Sequence, residues 1–237
     1  MDSARVVEIF SSLQGEGIYL GERQVFVRFG GCNLRCDYCD EPDTIPRASG
    51  EPRTQDEVRS EIARLDAAGS HKSVSWTGGE PLLHAGFLAE IMPWARGRGL
   101  KNYLETNGVL PAELKRLAPL CDVIAMDIKL PSATGRETWS AHREFLRVAP
   151  EKTFVKVVLT SSSTEAEWSR VVDLLREAGP GIPLVLQPAT AVPDSRGTGR
   201  RVEPITPDKA EAFLNQAREV LKDVRVLPQQ HPIWGIP

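Results

Sequence analysis

The chain has 237 residues, with 29 Lys+Arg against 32 Asp+Glu and a net charge of −3. At 41% hydrophobic and 26% charged residues its composition is that of an ordinary globular protein, and the mild acidity argues against binding nucleic acid by phosphate neutralisation. No run nears the ~18 apolar residues of a membrane span, and Met1-Asp2-Ser3 opens no signal peptide, so a cytoplasmic protein without disulfides, membrane contact or nucleic-acid partner is expected.

In chain order, residues 25–30 are β-branched and aromatic and end in glycine, which predicts a strand. Thr54 with Glu57 forms a capping box for a helix over 54–68, with Val58, Ile62 and Leu65 on one face. A short strand at 74–76 ends in Gly78-Gly79, and a helix over 85–97 carries Pro93 as an expected kink. Strands follow at 102–105 and 123–127, separated by a short helix from Pro111. A helix near 137–148 leads to a strong strand at 154–159. Thr164 with Glu167 caps a helix to Ala178, and a strand covers 184–187. Thr206-Pro207 opens a last helix to Leu221 before a strand at 224–227.

This alternation predicts an α/β fold with a mostly parallel sheet of about six to seven strands. The chain is short of the ~250 residues of a full eight-fold barrel, so an incomplete β/α (TIM-like) barrel is expected. Polar residues gather after the strands: Cys32, Thr77 to Glu80, Glu105 to Asn107, Asp127 with Lys129, Thr160 to Ser163, and Gln187. That rim is where such barrels build their sites. The loop 189–205, with Arg196, Arg200 and Arg201, is either a solvated loop or a lid or partner contact.

Three of the four cysteines, Cys32, Cys36 and Cys39, fall in a C-x3-C-x2-C spacing. Three thiolates on one tight loop suit a metal or cluster. A structural zinc would need a fourth ligand; Cys121 starts a strand at the opposite rim, and no histidine is near in sequence. Three ligands on a four-iron cluster leave one iron for an exogenous ligand.

This spacing resembles the signature of the radical S-adenosylmethionine (SAM) superfamily. The resemblance implies a [4Fe-4S] cluster on Cys32, Cys36 and Cys39, with SAM chelating the fourth iron. It places Tyr38 near the adenine. Thr77-Gly78-Gly79-Glu80 resembles the stretch that binds the SAM amino group, with glycines for close backbone approach and Glu80 as acceptor. Glu105 and Asn107 resemble the third-strand residues near SAM, although Glu105 also reads as a capping or solvent carboxylate. Lys129, Ser132 and Gln187 complete the implied SAM contacts.

The stretch Glu8 to Gly17, with Arg28 and Asp127 to Ser132, narrows the resemblance to the 7-carboxy-7-deazaguanine synthases. Taken alone, Leu13-Gln14-Gly15-Glu16 is also compatible with a hairpin turn. The resemblance implies a single domain over 1–237, with a substrate-binding segment at 8–24 and a cluster loop at 30–44. It implies a lyase that converts 6-carboxy-5,6,7,8-tetrahydropterin to 7-carboxy-7-deazaguanine plus ammonia, on the route to queuosine and other 7-deazapurines. A homodimer, magnesium and a reductant such as flavodoxin or ferredoxin are implied with it. Leu13, Gln14, Gly15, Glu16, Arg28, His231 and Pro237 would meet the substrate, with Arg28 pairing its carboxylate. His71, His84 and His142 read as surface or structural. In the family, Asp-Thr follows the last cysteine and the threonine helps to bind magnesium. Here Asp40 matches but Glu41 stands in the threonine's place, leaving Asp40, Glu41 and Thr44 as candidate magnesium ligands. Two rival readings are another short radical SAM enzyme, such as a glycyl-radical activase, and a zinc-stabilised binding module.

Overall fold

The computed structural model describes residues 3–236. Seven strands run parallel in one sheet: β2 (Arg23–Phe29), β4 (Ser73–Gly78), β5 (Lys101–Thr106), β6 (Val123–Asp127), β7 (Thr153–Leu159), β8 (Leu184–Pro188) and β11 (Val224–Val226). Two antiparallel strands, β1 (Ser3–Leu13) and β3 (Glu51–Thr54), extend the β2 edge. The order β11-β8-β7-β6-β5-β4-β2-β1-β3 leaves β11 and β3 unpaired to each other, so the barrel stays open.

The helices between the strands cover the outer face. They are α1 (Gln55–Leu65), α2 (Ala85–Gly97), α3 (Pro111–Leu117), α4 (Pro131–Thr134), α5 (Trp139–Leu146), α6 (Glu165–Ala178) and α7 (Pro207–Arg218). Both expected capping boxes form, Thr54 with Glu57 and Thr164 with Glu167. α1 stops at Leu65, where Asp66 turns to accept hydrogen bonds from the backbone and ring of His71. His71 also meets the Ser11 hydroxyl at 2.8 Å, so this histidine ties β1 to the turn before β4. α2 continues through Pro93 as one helix. α6 and α7 lock together through Trp168, whose ring stacks on Phe213 and whose indole N–H donates to the Phe213 carbonyl.

The strand period of two decides which residues reach the interior. Val25, Val27, Val74, Trp76, Leu104, Ile124, Met126, Val155, Val157, Leu184 and Leu186 belong to the large core shared with the helices. The intervening residues face inward. Tyr103, Val123, Ala125, Phe154 and Val185 form a second apolar cluster, plugged by Ile18, Tyr19 and Leu227. Tyr19 sits edge-on to Tyr103 at 5.6 Å between ring centres. One step further along each strand the inward residues turn polar: Arg28, Thr77, Glu105, Asp127, Lys156 and Gln187.

Three elements depart from the sequence expectation. β1 is an eleven-residue strand ahead of the first expected strand at 25–30; it pairs with β2 from Val6 to Leu13 with a bulge at Val6/Glu8. β3 is a fully exposed edge strand holding Pro52, whose missing N–H is harmless there. The 189–205 loop contains a two-stranded hairpin, β9 (Val192–Pro193) with β10 (Arg201–Val202). No helix among the described residues is long and apolar enough to cross a membrane.

Candidate active site

One cavity opens at the carboxyl ends of the parallel strands. Its walls come from β2 and β4 to β8, the cysteine loop, the 13–17 turn after β1, and the C-terminal segment with its short helix α8 (His231–Trp234). Cys32, Cys36 and Cys39 all line it, and none forms a disulfide. Burial pushes the Cys36 thiol up to about 12 and the Cys39 thiol up to about 11. Their thiolates therefore need a bound cation, which is what an iron–sulfur cluster provides. Cys121 is fully buried in the outer core, away from the cavity. The three thiols on one loop fit a cluster with an open iron and offer zinc no fourth cysteine.

The residues expected at SAM separate into two groups. Tyr38, Thr77, Gly78, Gly79, Glu105, Asn107, Lys129 and Gln187 line the cavity, whereas Glu80 and Ser132 do not. The Lys129 ammonium lies 5.1 Å from the centre of the Tyr38 ring and donates to Asp127 Oδ2 at 2.7 Å. The buried Tyr38 hydroxyl, Asp127 Oδ1 and Gln187 Oε1 have no hydrogen-bond partner among the described residues. Three orphaned polar atoms on residues that line one cavity fit a polar ligand such as SAM.

Glu80 is fully buried and already committed. It accepts from Leu82 N at 3.0 Å, Thr106 Oγ1 at 2.8 Å and Asn107 N at 2.8 Å. Its carboxylate fastens the loop after β4 to the loop after β5. The two glycines before it are required by the protein itself: a Cβ on Gly78 would lie 2.2 Å from the Phe29 carbonyl, and one on Gly79 2.2 Å from that of Gly31. Burial raises the Glu80 carboxyl from 4.5 to about 7 despite its donors. A carboxyl raised on folding favours the folded state below its unfolded value, and that contribution is lost as pH rises through about 7. Wild type should therefore lose about 2–3 kcal/mol relative to Glu80→Gln in urea unfolding between about pH 5 and about pH 8. Equal pH slopes for the two proteins would refute this assignment.

Glu105 is likewise an organiser. Its Oε1 accepts from Gln14 Nε2 and Ser75 Oγ, both at 2.8 Å, and Oε2 from Thr77 Oγ1 at 3.0 Å. Gln14 in turn accepts from the Glu16 backbone N–H at 3.0 Å, which fixes the turn that presents Glu16. Asn107 reaches across to Asn33 Oδ1 at 2.7 Å, and the buried His142 ring meets the Asn107 carbonyl at 3.1 Å. Burial lowers His142 to about 4, so it stays neutral behind this wall.

Glu16 is the most strongly held carboxylate in the cavity. It contacts the Lys156 ammonium and accepts from Gln187 Nε2 at 3.1 Å and Gln229 Nε2 at 2.7 Å. Burial alone would raise its pKa; Lys156 and the hydrogen bonds from Lys156 and Gln229 bring it below the usual value. His231 lies 3.7 Å from Asp40, and a donor atom from each of Glu16, Asp40 and His231 falls within 4.8 Å of the others. These three could surround a cation, but Lys156 already neutralises Glu16. Gly15 admits this arrangement, because a Cβ there would lie 2.7 Å from His231 Cβ. Pro237, expected at the substrate, lies outside the described residues.

Arg28 is caught between two carboxylates, Glu8 at 2.7 Å and Glu41 at 3.4 Å, with its guanidinium 5.4 Å from the centre of the Phe10 ring. The Thr44 hydroxyl donates to the Glu41 carbonyl at 2.7 Å, so it caps a turn. Asp40 is half exposed, and its nearest partners are Gln229 at 3.4 Å and His231. Of the three candidate magnesium donors, Thr44 is buried, Glu41 is engaged by Arg28 and Asp40 is the most exposed.

Lys156 and Gln229 were missed by sequence reasoning. Lys156 carried a signal: it interrupts an otherwise apolar strand at an inward position, directly beside Asp127 in the ladder. Gln229 carried none.

The radical SAM superfamily profile matches residues 26–154. The chain is 39% identical over 251 residues to the 7-carboxy-7-deazaguanine synthase of Geobacter sulfurreducens, covering 98% of this chain and 97% of that one. It is 33% identical to the enzyme of the same name from Methanothermobacter thermautotrophicus, covering 98% of each. In fold it is similar to the crystal structure of QueE from Escherichia coli, with a TM-score of 0.62 at 20% identity over 96% of this chain and 94% of that one. The three-thiol cavity and these likenesses lead to one conclusion: the chain belongs to the radical SAM superfamily and, within it, to the 7-carboxy-7-deazaguanine synthase family.

Proposed function

We propose that this chain is the ring-contracting lyase that turns 6-carboxy-5,6,7,8-tetrahydropterin into 7-carboxy-7-deazaguanine and ammonia. The observation that carries this reading is one cavity holding three free thiols, an ionised Glu16 and the Arg28 guanidinium together. Cys32, Cys36 and Cys39 would hold the [4Fe-4S] cluster. Tyr38, Thr77, the Gly78–Gly79 backbone, Asn107, Lys129 and Gln187 would receive SAM. The chemistry that the cluster and SAM would supply there is radical hydrogen abstraction from the pterin.

The remaining tasks fall to the chain's own side chains. Glu16, kept ionised by Lys156, accepts from the N–H groups of the heterocycle, with Gln14 and His231 beside it. Arg28 binds the substrate carboxylate. Tyr103 and Phe154 close the base of the cavity and keep water from the reacting centre. Asp40 is the oxygen donor best placed to hold magnesium, whose chemistry is to neutralise charge on an oxygen. The reading places segment 8–24 on the substrate and loop 30–44 on the cluster of one catalytic domain. It also includes a homodimer and a small one-electron donor of the flavodoxin or ferredoxin class.

The test is anaerobic turnover with reconstituted cluster, SAM, reductant and the tetrahydropterin. Formation of 7-carboxy-7-deazaguanine is expected. A cluster-loaded protein that yields none would sink the proposal.

A further inference from the structure

The hairpin β9–β10 has no part in the activity as described above, yet it is docked on the cysteine loop. Its turn is built around Asp194, which is buried and accepts from the Arg196 backbone N–H at 2.8 Å, Arg196 Nε at 3.2 Å and Thr198 Oγ1 at 2.5 Å. Arg196 Nη2 is shared, donating to Asp194 Oδ2 at 3.4 Å and to Asp37 Oδ2 at 3.3 Å. Ser195 adds two bonds: its backbone N–H donates to the Asp37 carbonyl at 2.9 Å, and its hydroxyl to the Cys36 carbonyl at 2.5 Å. The Cys36 carbonyl is also the acceptor for Cys39 N at 3.3 Å, the bond that closes the turn between the second and third cysteines. Arg35, from the other side, donates to the Ser195 carbonyl at 3.4 Å.

The hairpin base is held as firmly. Ala189 N and Ile205 N donate to the Leu159 carbonyl, and Ser161 N to that of Glu203. Thr190 Oγ1 donates to Gln229 Oε1 at 2.5 Å, and Gln229 donates onward to Glu16. One segment thus touches the peptide between two cluster ligands directly and reaches the carboxylate assigned to the substrate through Gln229.

We infer that the β9–β10 hairpin is a strap that sets the geometry of the cluster loop, with Ser195 and Arg196 as positioning residues. The inference rests on the cluster assignment. Groups that orient metal ligands through their hydrogen bonds govern both how tightly the metal is held and its potential. Ser195 fixes the carbonyl of a ligand residue. Arg196, whose single charge is shared with Asp194, offsets the buried Asp37 carboxylate beside Cys36. Its cation favours the reduced, more negative cluster.

The experiment compares wild type, Ser195→Ala, Arg196→Ala and Arg196→Lys as anaerobically reconstituted holoproteins. Iron release to a chelator and the midpoint potential of the cluster are read for each. Release is expected to accelerate about 10–100-fold in Ser195→Ala and Arg196→Ala. The potential should become more negative in Arg196→Ala and return toward wild type in Arg196→Lys, which retains the charge. A purely structural role would not restore potential with charge. If wild type carries a cluster and all three variants match its release rate and potential, the strap is refuted and the cluster assignment stands. A wild type that takes up no iron and sulfide refutes the cluster reading, and the strap with it.

Discussion

Lys156→Met is expected to lower stability by about 3–5 kcal/mol, the usual consequence of removing one partner of a buried ion pair, and to raise the pterin KM more than any other single change on β7. Lys156 contacts Glu16 and lies 3.4 Å from Asp127, and all three side chains are less than a fifth exposed. Both carboxylates lean on the same ammonium. Without it, burial pushes Glu16 toward its neutral form, which can no longer accept two N–H groups of a heterocycle. The double variant Glu16→Gln/Lys156→Met removes the orphaned charge and should recover about 2 kcal/mol of the lost stability. It should not recover turnover, because the amide keeps one acceptor oxygen in place of two and carries no charge. Urea unfolding and steady-state kinetics separate the two quantities. A Lys156→Met protein with wild-type KM would show that Glu16 needs no counter-ion.

The interplay of Lys156 and Glu16 also marks the limit of what the sequence revealed. The seven parallel strands were legible because each is a short apolar run punctuated by turn residues, and the cysteine loop because its spacing is specific. Strand parity was not, since a strand buried on both faces reads as continuous apolar sequence. Parity is what aims Lys156 at Glu16 and sends Val155 and Val157 to the outer core. Glu80 and Glu105 were legible as site positions, but the hydrogen bonds they make within the protein were not. Their oxygens are filled by Thr106, Asn107, Gln14 and Thr77, a matter of long-range pairing that no local pattern records. The docking of 189–205 on Cys36 was hidden for the same reason: its partners lie about 160 residues away in the chain. β1 was obscured by the bulge at Val6/Glu8, which breaks its alternation.

Arg28→Ala is expected to reduce kcat/KM by about 10²–10³, as truncating a buried charge that pairs with a substrate carboxylate costs roughly 3–4 kcal/mol. Arg28→Lys should recover only part of this, since an ammonium cannot offer the forked pair of N–H donors. The larger question is how Arg28 becomes available, because Glu8 and Glu41 already share it. Glu8 sits opposite Arg28 in the β1–β2 ladder and is fixed by the sheet. Glu41 is not, and its contact is the longer one. Under the proposed function it is therefore the carboxylate that the substrate would displace. Burial raises the Glu41 carboxyl, with Asp40 and Glu8 adding to the effect and Arg28 opposing it, so leaving Arg28 lets Glu41 take up a proton more readily. Glu41→Thr removes this competitor and should lower the substrate KM by up to about fivefold, the worth of one partly exposed ion pair. It should leave the magnesium response unchanged, because Asp40 remains. If Glu41→Thr instead weakens activation by magnesium with KM for the pterin unaltered, Glu41 belongs to the metal and Arg28 is held by Glu8 alone.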